Sequence, residues 1–179
     1  ISKSNNLPLV EDCAQAHFST FNNKKAGSFG IAGTFSFYTT KCVTSGEGGC
    51  VVTNYKRTYE KIKRLRQFGV LKKDKDNHEL FGSNFKLSEI QAAFLLTDLE
   101  RSKIRVTKRN LIAKCYQKNF KNSEWLALKP DNGTTSYYKQ IIIGPVKRNI
   151  LKKYLNKYKI QLTGGVYNIP IHKQKRYKK

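Results

Sequence analysis

Leu7-Pro8-Leu9-Val10-Glu11-Asp12-Cys13-Ala14-Gln15-Ala16-His17 is the stretch on which the fold turns. Its first half reads as a short buried strand, and its second half delivers an acid and an amide at the strand's C-terminal end. Open α/β sheets bind their ligands at that end. Further on, Gly33-Thr34-Phe35-Ser36-Phe37-Tyr38-Thr39-Thr40-Lys41 carries a second strand over residues 34 to 39. It runs on into the glycine-rich loop Ser45-Gly46-Glu47-Gly48-Gly49. A lysine between an aromatic-rich strand and flexible glycines suits an amine that must stay reactive.

An Asp, a Gln, a Ser and a Lys at strand ends together match the needs of pyridoxal phosphate. Asp12 would keep the ring nitrogen protonated, Ser36 would hold the phosphate, and Lys41 would link covalently to the cofactor aldehyde. Three runs carry a wider resemblance: Glu11-Asp12-Cys13-Ala14-Gln15-Ala16-His17, then Gly27-Ser28-Phe29-Gly30, then Phe35-Ser36-Phe37-Tyr38-Thr39-Thr40-Lys41. In this order they resemble the DegT/DnrJ/EryC1/StrS sugar aminotransferases. The likeness continues through Gly46-Glu47-Gly48-Gly49-Cys50-Val51-Val52-Thr53-Asn54 and Gly82-Ser83-Asn84-Phe85-Lys86-Leu87-Ser88-Glu89-Ile90-Gln91-Ala92-Ala93. It extends into Val166-Tyr167-Asn168-Ile169-Pro170-Ile171-His172 and so spans nearly the whole chain.

The resemblance implies an aspartate-aminotransferase-like α/β fold (pyridoxal-phosphate fold type I). It also implies transfer of an amino group, from glutamate, to a nucleotide-linked keto-deoxy sugar, as in polysaccharide biosynthesis. Lys41 would be the catalytic residue and would also hold the cofactor with Asp12, Gln15, Ser36 and Asn84, while His17 and Lys86 would meet the substrate. A dehydratase branch of the family has histidine in place of the reactive lysine, so Lys41 favours transamination. Asn84 stands where the family sends an asparagine into a neighbouring subunit's phosphate site, which implies a homodimer with a shared active site. Lys86 replaces the family's usual arginine and keeps the charge without the bidentate fork. Lys139 stands where the family often has histidine.

Family members are longer, and the chain contains no methionine. Residues 1–104 are therefore expected to be the C-terminal part of the large cofactor-binding domain, and residues 105–179 an incomplete small C-terminal domain. The alternative is an inactive truncated member that serves as a binding or structural protein.

Among the 179 residues, 35 are Lys or Arg and 12 are Asp or Glu, a net charge of +23. Nucleic-acid binders share such a footprint. Here, however, the basic residues are dispersed, from Lys56-Arg57 through Lys72-Lys73 and Lys108-Arg109 to Lys152-Lys153. A compositional bias explains this better than a dedicated nucleic-acid function, leaving non-specific polyanion adhesion at low salt. No run approaches the roughly 20 apolar residues of a membrane span, and a cytoplasmic protein is expected. Cys13, Cys42, Cys50 and Cys115 form no C-x-x-C pair and the three histidines lie far apart, so no metal site is expected. The thiols read as small buried groups in a reducing compartment, Cys42 being open to modification without catalysing.

Gly49 to Asn54 reads as a third strand. Tyr59, Ile62, Leu65 and Phe68 mark an amphipathic helix closed by Gly69. Residues 71 to 82 read as an exposed loop, and Ser88 starts a helix with an apolar face at Ile90, Ala93, Phe94, Leu96 and Leu99. A second helix over residues 103 to 120 links the two domains. A strand is predicted over Tyr137–Ile143, a helix over residues 147 to 158, and a last strand from Ile160 to Tyr167.

Overall fold

The computed structural model describes residues 1–70, 76–162 and 169–177. Its strands are β1 (Val10–Asp12), β2 (Thr20–Phe21), β3 (Lys24–Lys25), β4 (Ala32–Ser36), β5 (Gly49–Val52), β6 (Leu126–Ala127), β7 (Gly133–Thr134) and β8 (Ile142–Ile143). Its helices are α1 (Lys56–Leu65), α2 (Glu89–Phe120) and α3 (Arg148–Lys157), with two 3-10 turns at Ile171–Lys173 and Lys175–Tyr177.

The central sheet has the order β1-β4-β5. β1 and β4 are parallel, with Val10, Glu11 and Asp12 opposite Ala32, Gly33 and Thr34. β5 returns antiparallel, from Gly33 opposite Val52 to Ser36 opposite Gly49. The three strands read from the sequence are present, but the first is not buried: Leu7, Leu9 and Val10 are exposed. β1 is an edge strand, and only β4, between two neighbours, brings fully buried residues, Ala32 and Gly33.

Two devices fold the chain between β1 and β4. The carboxylate of Glu11 accepts hydrogen bonds from the backbone N–H groups of Gly27 at 2.7 Å, Phe29 at 2.7 Å and Gly30 at 2.8 Å. Burial raises its pKa, but these three donors and nearby Lys24 outweigh that, and the net shift is downward. Gly27 has φ +89°, and a Cβ on Gly33 would fall 2.4 Å from the Gly27 Cα, so the two backbones touch where no side chain fits. The polar turn before Gly27 is a hairpin: β2 and β3 pair across Asn22 and Asn23, whose φ values of 47° and 60° suit a tight left-handed turn.

α1 stops at Leu65, short of the predicted Phe68, which stands outside it at φ 57°, and Gly69, at φ 75°, donates its N–H to the Arg64 carbonyl. Ser88 caps α2 in a capping box with Gln91. The helix does not stop near residue 100: the two predicted helices are one 32-residue rod, about 48 Å long at 1.5 Å per residue. Residue 104 therefore lies inside a continuous helix. The predicted apolar face is also turned outward, since Ile90, Phe94, Leu96 and Leu99 are exposed while Ser102 and Ala113 are buried. The predicted strand Tyr137–Ile143 shrinks to β8, paired with β6. Tyr137, at φ 45°, interrupts it, and Arg109 captures the carbonyls a ladder would need. Helix α3 lies where predicted. The last predicted strand is absent over 160–162, and its remainder lies outside the described residues.

Candidate active site

The parallel register of β1 and β4 fixes the site. Because Asp12 lies opposite Thr34, both Asp12 and Ser36 stand at the C-terminal ends of adjacent strands. Asp12 is exposed, and its Oδ1 accepts a hydrogen bond from the Ala14 N–H at 3.0 Å. Ser36 Oγ accepts one from the Tyr38 N–H at 3.3 Å. The chain then turns through Tyr38 to Lys41, whose N–H reaches the Tyr38 carbonyl at 2.9 Å, and Lys41 ends half-buried.

Lys41 is held from behind. Cys42 and Val43 are almost fully buried, which puts the Cys42 thiol out of reach of modifying reagents. Thr39 Oγ1 donates to the Gly46 carbonyl at 2.9 Å, and Thr44 Oγ1 donates to Phe37 at 2.9 Å, tying the glycine loop to the strand end. Asp98 of α2 accepts the Thr44 N–H at 2.9 Å and pairs with Arg105 at 2.6 Å. The same guanidinium donates to the Cys42 carbonyl at 3.1 Å. Four residues on, Arg109 donates to the carbonyls of Tyr137 and Tyr138. One helix face thus carries both the lysine turn and the segment lying over it.

His17 is 6 % exposed, packed against Phe35 and Phe37 with ring centroids 5.3 and 6.1 Å away. Neither ring nitrogen reaches hydrogen-bond geometry with a protein group. Burial and then the charge of Lys41 push its pKa down, opposed by the Ser36 backbone. The ring is neutral at pH 7.

The other sequence-predicted residues lie outside this cluster's contacts. Gln15 is exposed on the loop between Asp12 and His17. Asn84 is exposed and bridges antiparallel to Gln67, and Lys86 Nζ stands 5.9 Å from the Phe68 ring, so both lie in the segment before α2, against the turn after α1. Sequence reasoning missed Tyr138, Asp98, Arg105 and Arg109. The last three did leave a signal, a spacing of seven and four residues that puts them on one helix face.

Among the described residues, no group of three His, Cys, Asp or Glu could hold a metal, and no helix is long and apolar enough to cross a membrane.

A model of the DegT/DnrJ/EryC1/StrS aminotransferase family matches residues 1–179. The chain is 39 % identical over 127 residues to the UDP-4-amino-4,6-dideoxy-N-acetyl-beta-L-altrosamine transaminase of Helicobacter pylori, covering 70 % of this chain and 34 % of that one. It is 38 % identical over 119 residues to the GDP-perosamine synthase of Escherichia coli O157:H7, covering 66 % and 33 %. The solved structure of Helicobacter pylori PseC, an aminotransferase involved in the biosynthesis of pseudoaminic acid, superposes with a TM-score of 0.84 at 33 % identity, over 98 % of this chain and 49 % of that one. The chain spans about a third of the length of these curated relatives and about half of that solved chain.

Proposed function

Since the chain belongs to the DegT/DnrJ/EryC1/StrS aminotransferase family, with its aspartate-aminotransferase-like fold, we propose that it forms part of a pyridoxal-phosphate-dependent sugar aminotransferase. The amino group would come from glutamate and go to a nucleotide-linked keto-deoxy sugar. The observation that carries this reading is the register that sets Asp12 and Ser36 at neighbouring strand ends, with Lys41 in the braced turn beyond them.

The residues fit the cofactor. Asp12 keeps its Oδ2 without a protein partner among the described residues, available to a cationic ring nitrogen. The two orphaned nitrogens of buried His17 lie beside Ser36 and Lys41, where a polar ligand would satisfy them. When bound, the cofactor supplies an electron sink for a substrate carbanion. Asp12 would hold a proton at the ring nitrogen. Lys41 Nζ would be the group that moves the proton, and the neutral ring of His17 leaves that amine without a like charge behind it. Ser36 would donate to the phosphate with the backbone amides around it, and Gln15, exposed on the loop after Asp12, would be the residue to meet the ring's phenolic oxygen.

Asn84 would serve the phosphate site of a second copy in a cytoplasmic homodimer, and Lys86 would meet the substrate. The division into residues 1–104 and 105–179 belongs to the same proposal, with α2 the rod common to both.

Borohydride reduction with pyridoxal phosphate, followed by peptide mapping, tests the reading. The pyridoxyl group should sit on Lys41 and vanish in Lys41→Ala. Labelling spread over surface lysines and unchanged in that variant would overturn it.

A further inference from the structure

Lys41 is not loose in its turn. Its Nζ stands 4.9 Å from the centroid of the Tyr138 ring, within the range at which an aromatic face attracts an ammonium. The ring is itself fixed. Tyr138 OH and Thr40 Oγ1 share a hydrogen bond of 2.8 Å, and Arg109 Nη1 donates to the Tyr137 and Tyr138 carbonyls at 3.0 and 3.2 Å. Gln117 donates to the Tyr137 hydroxyl at 3.1 Å, and the adjoining Ser136 is fully buried. The φ of 45° at Tyr137 is uncommon for a bulky residue. A backbone held there by the two Arg109 bonds serves to aim the neighbouring Tyr138 ring.

We propose that Tyr138 is a positioning residue whose ring face seats the Lys41 ammonium whenever the lysine is not linked to the cofactor. This rests on Lys41 being the reactive amine. The seat keeps Nζ at the strand-end site while the cofactor carries the substrate's nitrogen, and reaction with an aldehyde requires Nζ to leave the ring first. Lys139 Nζ, 5.7 Å from the same ring, is the rival occupant.

Reductive methylation of the full chain with formaldehyde and cyanoborohydride, read by peptide mass spectrometry, tests the seat. The rate at Lys41 is measured relative to Lys152 and Lys153 of α3. In Tyr138→Leu the relative rate at Lys41 should rise about two- to fivefold, the factor for an exposed cation–π contact. In Tyr138→Phe, which keeps the ring, it should stay near wild type. An unchanged rate in the leucine variant overturns the proposal, and so does an equal rise in the phenylalanine variant, which would move the effect to the bond with Thr40. A second readout needs no variant of the tyrosine. The methyl protons of wild-type dimethylated Lys41, identified by their loss in Lys41→Arg, should resonate upfield of the other lysines through the ring current. A signal within the bulk lysine group overturns the seat. Pyridoxyl labelling that misses Lys41 while the upfield signal persists would strike the reaction and leave the seat standing.

Discussion

An imidazole buried beside an ammonium makes stability depend on pH, and His17 gives the sign. Its folded pKa lies below the ordinary value of about 6.5, so on acidification the unfolded chain takes up the proton first. Stability is therefore complete above about pH 6.5 and falls as the pH drops from there toward the depressed folded value. Urea midpoints measured from pH 8 to pH 5 should show this slope, and His17→Phe should flatten it; an equal slope in the variant would assign the effect elsewhere. Asp12→Asn should keep the fold and bind cofactor but lose most transamination in the complete enzyme, because the amide cannot hold the ring nitrogen's proton. Near-normal turnover would give that task to another group. The placing of Asp12 and Ser36 at strand ends was legible because local pattern defines those strands, whereas Lys41, five residues past the end of β4, was singled out by the motif it stands in and not by pattern. Tyr138 was not, since it meets Thr40 across 98 positions of chain and no local pattern announces such a contact.

At the scale of elements, α2 shows how periodicity locates a helix and misassigns its faces. The Ser88–Gln91 capping box marks its start in plain sequence. Asp98, Arg105 and Arg109, to which sequence reasoning assigned no site role, form the inward stripe, with Ser102 and Ala113 alongside them. Small residues let the rod approach, and the charges find backbone partners that sequence does not display. Arg105→Ala should cost about 1–3 kcal/mol, since it leaves the Asp98 carboxylate, only 13 % exposed, without its cation. Chemical denaturation measures this, and Ser88→Ala, at about 1 kcal/mol, gives the scale. A cost for Arg105→Ala below that of the cap would make the pair a mere surface contact.

For the whole molecule the governing quantity is area. The accessible surface is 15043 Å² for 20.6 kDa, against about 8,900 Å² for a folded monomer of that mass. The excess includes both edges of the central sheet and apolar groups at Leu9, Val10, Val51 and Val52. A cleft of about 640 Å³ also opens between α1 and the β4–β5 pair, floored by Phe35 and Cys50. Such surface associates when nothing opposes it. The charge of +23 opposes it at low ionic strength, and salt screens that repulsion. Light scattering of the isolated chain should therefore rise with added sodium chloride, together with binding of an apolar dye. A monodisperse monomer in high salt would show that the faces are closed in solution.

The unbroken run of α2 from Asp98 to Arg109 also bears on how this sequence can drift. Each residue added to a helix turns every later position by about 100°. A single codon gained or lost between these positions would swing Arg109 away from Tyr137 and Tyr138 while Asp98 kept its grip on Thr44. Homologues can lengthen or shorten the turns on either side of the rod, but the interval from Asp98 to Arg109 should stay constant in count even where its letters change.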